Sequence, residues 1–189
     1  DSNGPALAVA AAAAGADVVH VARASDDPAA LVAALDALPE VDLVVTSGGV
    51  SMGAYDVVKA ALAPLGITFE QVAVQPGKPQ AWGRLRGGPA FLGLPGNPVS
   101  SLVCFELFGR AALGSERPIL RTQLLDAVER SHAGVRQLRR GRLEPGGVRL
   151  EGGPASHLVA GLARADCLVV VPEDATTLSA GAWVDVIAL

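Results

Sequence analysis

The spacing of apolar residues over the first 65 positions predicts helices and strands in alternation. Helices are expected over residues 5–14, 28–38 and 54–65, where alanine, valine and leucine recur at helical spacing. Apolar, β-branched runs over residues 17–22 and 42–46 predict buried strands between those helices. This alternation with short loops favours an α/β fold, built on a doubly wound, mostly parallel sheet with helices on both faces.

Capping residues support two of these helix boundaries. Asp1, Ser2 and Asn3 are N-capping residue types that directly precede the alanine-rich helix. Asp27 is expected to cap the second helix, with Pro28 at the first helical position, where no amide N–H is needed.

The pattern changes after residue 114. Before that point, we expect strands over residues 68–74, 81–85 and 90–94 and a buried helix over residues 99–113. Beyond it, short strand-like runs separated by glycine turns cover residues 135–143, 148–151, 167–171 and 183–187. We therefore predict an α/β domain over residues 1–115 and a small all-β, barrel-like domain over residues 116–189.

Composition excludes several classes of function. Of the 189 residues, 18% are charged, and the formal net charge is -4 without a basic block, which argues against a nucleic-acid partner. No apolar run approaches the ~20 residues that span a bilayer, so no membrane association is expected. Cys104 and Cys167 lie far apart among apolar residues, which predicts buried, reduced thiols and a cytoplasmic protein.

A glycine-rich loop follows the strand predicted over residues 42–46. Gly48, Gly49 and Gly53 would let the backbone approach a ligand closely, and a helix follows the loop. A strand, a glycine turn and a helix N-terminus form a common anion-binding arrangement, although a tight turn that binds nothing has the same pattern. Ser51 could donate its hydroxyl to a phosphate or only close the turn.

Two acidic residues are candidates for binding Mg²⁺ or orienting a water molecule. Asp56 lies in the first turn of the helix after the glycine loop, and Asp26 follows the strand predicted over residues 17–22. Both lie at the carboxyl ends of predicted parallel strands, where ligands bind in such sheets. Carboxylates also favour first helical turns for electrostatic reasons alone, and this alternative stays open.

Two proline-bracketed turns follow, PGKP over residues 76–79 and LPGNP over residues 94–98. Because proline stiffens a loop, Lys78 would be held with little entropy left to lose and could bind an oxyanion. Four arginines fall within one predicted strand and most simply form a solvated face, although one of them could turn toward an anion. They are Arg136, Arg139, Arg140 and Arg142.

Together these motifs resemble the MoeA / gephyrin E-domain family of molybdopterin molybdenumtransferases. The motifs are DSN before an alanine-rich helix, DDP, DLVVTSGGVSMGAYD, PGKP and LPGNPVSS, in the family's order. The resemblance implies an enzyme of molybdenum cofactor biosynthesis that inserts molybdate into adenylylated molybdopterin and releases AMP.

Site residues are implied by the same resemblance. Asp56, Ser51 and Asp26 would be catalytic, and Asp26 and Asp56 would bind the Mg²⁺ that assists cleavage of the phosphoanhydride. The substrate-binding residues would be Gly48, Gly49, Gly53, Pro95, Gly96, Asn97 and Pro98. Molybdate would contact Lys78, Gln75, Arg140 and Ser156.

Two positions depart from the family. Its members often carry lysine where this chain has Gln71 and Gln75, so neutral amides replace charges that would attract molybdate. The resemblance also implies a longer protein with two N-terminal domains, expected to be a homodimer whose cleft is completed by the partner subunit. We therefore expect the 189-residue chain alone to bind its substrate poorly and to turn over little or none of it.

Other interpretations stay open at this stage. Molybdopterin adenylyltransferases and CinA-like nucleotide pyrophosphatases carry a similar glycine-loop domain, although the LPGNP turn and the β domain argue against them. A non-catalytic scaffold module is a further alternative. Molybdate-dependent release of AMP would distinguish metal transfer from all of these.

Overall fold

The computed structural model describes residues 2–23, 27–50, 57–152 and 159–189. The chain divides into two compact units. The first comprises residues 1–72 and 77–115, and the second comprises residues 73–76 and 116–189.

The helices of the first unit lie where apolar periodicity predicts them. They are α1 (Asn3–Ala13), α2 (Pro28–Asp36), α3 (Val57–Leu62), α4 (Pro98–Cys104) and α5 (Arg110–Ala112), with a π-helical turn (Phe105–Gly109) joining the last two. Asp27 caps α2 as expected, because its carboxylate accepts hydrogen bonds from the amides of Ala29 and Ala30. Ser2, at the N-cap position of α1, makes no side-chain capping hydrogen bond, and Asp1 lies outside the described residues.

The first sheet contains β1 (Leu43–Ser47), β2 (Ile67–Gln71), β4 (Pro79–Arg84) and β5 (Ala90–Leu94), while β3 (Val74–Gln75) belongs to the second unit. The strand order is β1-β5-β4-β2. β1 and β5 are parallel, and the other two described pairs are antiparallel. The predicted α/β class is confirmed.

Helices cover both faces of this sheet, as a doubly wound arrangement requires. Val44 of β1 packs in one apolar cluster with Leu31 of α2. Its neighbours Leu43 and Val45 point the other way and pack against the cluster that contains Leu7 of α1. α1 and α2 therefore lie on opposite faces.

The strand predicted over residues 17–22 is wrong. That segment forms neither helix nor strand, and its valines are exposed, with Val19 at 54% and Val21 at 56%. A strand needs a neighbour to satisfy its backbone groups, and no described strand pairs with this segment. β1 likewise pairs on one side only among the described strands.

The second unit is a β domain, and its described residues include one short helix. Its strands besides β3 are β6 (Ile119–Gln123), β7 (Arg136–Glu144), β8 (Gly147–Leu150), β9 (Cys167–Val171) and β10 (Trp183–Ala188), and its helix is α6 (Val159–Ala163). The described strands run in the order β3-β7-β9-β10-β6, with β8 on β7. β3 pairs in parallel with β7, which explains why residues 73–76 pack with this unit.

Both cysteines are reduced and buried, as the sequence predicts. Burial raises the pKa of Cys104 to about 12 and that of Cys167 to about 11, so both stay protonated at neutral pH. Across the described ranges, no helix has the length and apolar character needed to cross a bilayer.

Candidate functional site

Two loops leave the same edge of the first sheet. Ser47 of β1 stands opposite Leu94 of the parallel strand β5, so the loops after these strands begin side by side. The amide of Gly48 donates to the carbonyl of Leu94 across 2.9 Å. A Cβ added to Gly96 would lie 3.3 Å from the Cα of Gly48, so the two loops touch through their backbones.

The glycines of the first loop are required by its shape. Gly48 and Gly49 have φ angles of +93° and +69°, a region that L side chains rarely adopt. A Cβ on Gly49 would also lie 2.6 Å from the side chain of Val58. Gly48 and Gly49 therefore keep a half-buried, side-chain-free backbone at the end of β1.

A cleft of about 430 Å³ opens at these loops. Its described lining residues are Gly48, Gly49, Val50, Gln71, Lys78, Pro79, Pro95 and Gly96. Lys78 is exposed and carries the one charged side chain among them. A bare glycine backbone beside a lysine suits an anionic ligand such as a phosphate.

Asn3 holds the two loops together. Its Nδ2 donates to Ser47 Oγ and to the carbonyl of Gly96, each across 2.8 Å. Ser47 Oγ in turn contacts the carbonyl of Pro95 at 3.1 Å and Ser101 Oγ at 3.0 Å. Asn3, predicted as a capping residue type, therefore joins the two loops that border the cleft. It is the first residue of α1 rather than the residue before it, and this position was the sequence feature that could have indicated the role.

The cleft includes part of the predicted substrate-binding set. Gly48, Gly49, Pro95 and Gly96 line it. Asn97 caps α4 instead, because its Oδ1 accepts from the amides of Val99 and Ser100. Pro98 is the first residue of α4.

In the PGKP turn, exposed Lys78 follows buried Gly77, and hydrogen bonds hold the backbone on both sides of the lysine. The Lys78 carbonyl accepts from the amide of Val72 across 2.8 Å. The preceding carbonyl, of Gly77, accepts from Gln80 Nε2 across 2.6 Å, beside the thiol of Cys104. Sequence reasoning assigned neither Gln80 nor Cys104 to the site, because each resembles an ordinary core residue.

Arg140 of the second unit is buried rather than solvated. It is 5% exposed, while Arg136 and Arg142 of the same strand are exposed as predicted. A Cβ on Gly161 of α6 would lie 3.4 Å from Arg140 Nε, so this side chain packs against the helix. Burial lowers the pKa of Arg140 and the Glu151 carboxylate acts against that change, so the guanidinium remains a cation.

Gln75 lies on the other face of this strand pair. Its Oε1 accepts from Gln137 Nε2 across 3.1 Å, and Gln137 Oε1 accepts from the guanidinium of Arg139. Side chains alternate along β7, so Gln137 and Arg140, three positions apart, leave opposite faces. The structure therefore does not bring Gln75 and Arg140 together.

Five predicted site residues lie outside the described residues. They are Asp26, Ser51, Gly53, Asp56 and Ser156. Within the described ranges, no group of three or more His, Cys, Asp or Glu side chains could hold a metal ion. Lys78 belongs to the first unit, and Gln75 and Arg140 belong to the second.

Comparison with known families divides the chain at a similar place. Residues 1–115 match the family described as a probable molybdopterin binding domain. Residues 124–189 match the family described as the MoeA C-terminal region, domain IV.

Individual relatives agree with these matches. The chain is 44% identical to molybdopterin molybdenumtransferase 2 of Mycobacterium tuberculosis, over 98% of this chain and 50% of that protein. It is 38% identical to molybdopterin molybdenumtransferase 1 of the same organism, over 98% of this chain and 48% of the relative. Among solved structures, the molybdopterin biosynthesis MoeA protein of Pyrococcus horikosii superposes with a TM-score of 0.77 at 29% identity, covering 98% of this chain and 47% of its own. The chain thus spans about half the length of these relatives.

Proposed function

The chain belongs to the MoeA family, as its molybdopterin-binding domain and MoeA C-terminal region, and on that premise we propose that it forms the cleft for molybdate insertion into adenylylated molybdopterin. The activity would belong to the full-length protein and would release AMP. The observation that carries the proposal is the cleft itself, in which two glycine loops and Lys78 meet.

The glycine loops would bind the phosphates of the substrate. Gly48, Gly49 and Gly96 carry no side chain, so a diphosphate could approach their backbone closely. Ser51 would donate its hydroxyl to the same group. Gly53, Asn97 and Pro98 would support this binding by shaping the two loops, since Asn97 caps α4 directly behind Gly96.

Asp26 and Asp56 would hold Mg²⁺ and orient the water that cleaves the phosphoanhydride. Carboxylate oxygens are the hard ligands that Mg²⁺ prefers, so the donor chemistry of this pair fits the ion. Bound Mg²⁺ would neutralise charge that develops on the phosphates during cleavage.

Molybdate is a tetrahedral oxyanion, and charge-assisted hydrogen bonds would bind it. Lys78 offers an exposed ammonium, Arg140 a guanidinium and Ser156 a hydroxyl, and we propose these three as its contacts. We assign Gln75 a different role, linking β3 to β7, because Gln137 occupies its carbonyl oxygen and its side chain leaves the face opposite Arg140.

We further propose a cytoplasmic protein that is a homodimer at full length. Two buried thiols that form no disulfide fit a reducing compartment. The partner subunit would complete the cleft with residues from the half of the relatives' length that this chain does not span.

The test is AMP release from adenylylated molybdopterin by the full-length protein, with and without molybdate. We expect molybdate-dependent release, loss of release in Asp56→Asn with folding intact, and a raised molybdate KM in Lys78→Ala. Release that is independent of molybdate would instead indicate a nucleotide pyrophosphatase. Absence of release under all conditions would indicate a scaffold module.

A further inference from the structure

A buried hydrogen-bonded group lies directly beneath Lys78. Gln80 Nε2 donates to the Gly77 carbonyl across 2.6 Å and to Cys104 Sγ across 3.0 Å. Cys104 Sγ lies 3.8 Å from the same carbonyl, within reach of a weak S–H hydrogen bond. Gln80 on β4 and Cys104 at the end of α4 therefore meet at the peptide that precedes Lys78.

The contact is tight enough to determine the path of the turn. Gly77 has a φ of +109°, and a Cβ added there would lie 2.0 Å from Cys104 Sγ. The turn therefore packs directly against the sulfur atom, and no residue larger than glycine fits at position 77. The amide of Val72 fixes the following carbonyl, of Lys78, so hydrogen bonds hold the backbone on both sides of the Lys78 Cα.

Burial adds a further sign that this group is specialised. Gln80 is 3% exposed and Cys104 is fully buried. In the described part of the chain, Gln80 Oε1 is buried without a hydrogen-bond partner. An unpaired buried acceptor is unfavourable, and an apolar residue at this position would avoid that cost. The presence of a glutamine here is better explained by its Nε2 group, which donates to two acceptors, the Gly77 carbonyl and Cys104 Sγ.

We propose that Gln80 and Cys104 are positioning residues that direct the Lys78 ammonium into the cleft. They touch no substrate and act only through the Gly77–Lys78 backbone. This inference rests on the proposed function, in which Lys78 binds molybdate. A merely structural role would lower stability without changing molybdate binding, and this difference makes the inference testable.

The experiment compares variants of the full-length protein. Gln80→Leu and Cys104→Val remove the two contacts while keeping approximate volume, and Cys167→Val is the matched control, because Cys167 is an equally buried free cysteine in the second unit. Each variant is assayed for molybdate KM, kcat, KM for adenylylated molybdopterin and molybdate Kd by calorimetry. Thermal unfolding of each variant measures its stability.

We expect molybdate KM and Kd to rise about tenfold in Gln80→Leu and Cys104→Val, below the roughly hundredfold loss that a 1 Å misplacement can cause. The KM for adenylylated molybdopterin should change less than about twofold, and Cys167→Val should lower only the melting temperature. In a Lys78→Ala background, Gln80→Leu should cause no further rise, because its effect passes through Lys78.

Each outcome decides between the alternatives. Unchanged molybdate Kd in both variants, with Lys78→Ala still weakening molybdate, would overturn the positioning role and leave the proposed function intact. An additive effect of Gln80→Leu in the Lys78→Ala background would also overturn it. If Lys78→Ala itself leaves molybdate binding unchanged, the proposed role of Lys78 fails together with this inference. Should Cys104→Val not fold, Gln80→Leu decides alone.

Discussion

Replacing Gly77 by alanine should destabilise the first unit for two separable reasons. A φ of +109° is strained for any L side chain, and such strain costs on the order of 1–3 kcal/mol. The added Cβ would also lie 2.0 Å from Cys104 Sγ, and overpacking of a filled core costs roughly another 1–3 kcal/mol. We therefore expect Gly77→Ala to lower the free energy of unfolding by about 2–6 kcal/mol, as the sum of the two effects.

A double-mutant cycle separates the two effects. Cys104→Ala alone should destabilise through lost burial, but in the Gly77→Ala background it removes the atom that the new methyl meets. We expect a favourable coupling of about 1–3 kcal/mol between the two substitutions, leaving only the backbone strain.

The chain offers a control for the strain alone. Gly15 also has a positive φ, +91°, but an added Cβ there would meet nothing within 4 Å. Gly15→Ala should therefore cost only the backbone term, about 1–3 kcal/mol, and Cys104→Ala should not rescue it.

Urea denaturation followed by tryptophan fluorescence measures these changes. The chain has two tryptophans, Trp82 in the first unit and Trp183 in the second. In a Trp183→Phe background the signal reports the first unit alone, which avoids treating two units as one transition. Strict additivity of Gly77→Ala and Cys104→Ala would refute the predicted contact between the turn and the thiol.

Three further predictions concern other contacts. Asn3→Ala should lower the stability of the first unit by about 1–3 kcal/mol, because two side-chain hydrogen bonds that join the loops are lost. Gln75→Ala should lower the stability of the second unit by about 1–3 kcal/mol, because it leaves the amide of buried Gln137 unpaired, with little effect on molybdate KM. Both thiols have raised pKa values, about 12 for Cys104 and about 11 for Cys167, so stability should fall as pH rises above about 9, where only the unfolded thiols ionise. Native thiols should resist an alkylating reagent at pH 8.

Each of these has a matched check. For Asn3, the Asn3→Asp variant lacks the amide donor and should lose as much stability as Asn3→Ala. Wild-type stability in both variants would contradict the role of these hydrogen bonds in joining the two loops. For Gln75, a large rise in molybdate KM would indicate that this residue contacts molybdate after all. For the thiols, Cys104→Val should flatten the decline in stability between pH 9 and about 11, and an unchanged slope would show that Cys104 does not contribute.

Several features of the fold depend on neighbouring residues in the chain and were predictable for that reason. The Asp27–Pro28 pair begins α2, because capping and a fixed proline φ act within a few residues. β5 covers the predicted residues 90–94, since its apolar run is bounded by turn signals on both sides. The motifs that resemble the MoeA family are local strings, and the family matches confirm them.

Other features depend on residues far apart in sequence. The valines of residues 17–22 have strand character, yet a strand forms only where another strand pairs with it, and no described strand does so. Arg140 and Arg142 are both arginines of β7, but Arg140 packs against Gly161 and is buried, whereas Arg142 is exposed. Burial of a charge is decided by what covers it, which strand periodicity does not contain.

The sequence by itself determined the α/β class, the change to a β domain, most helices and the identity of the cleft loops, because short-range spacing and glycine or proline chemistry encode them. Tertiary structure alone decided that Asn3 joins the two loops, that Gln80 and Cys104 support Lys78, and that Gln75 and Arg140 leave opposite faces. These relations arise from contacts between residues up to 93 positions apart, as in the Asn3–Gly96 hydrogen bond. Chain folding creates such contacts, and no local pattern records them.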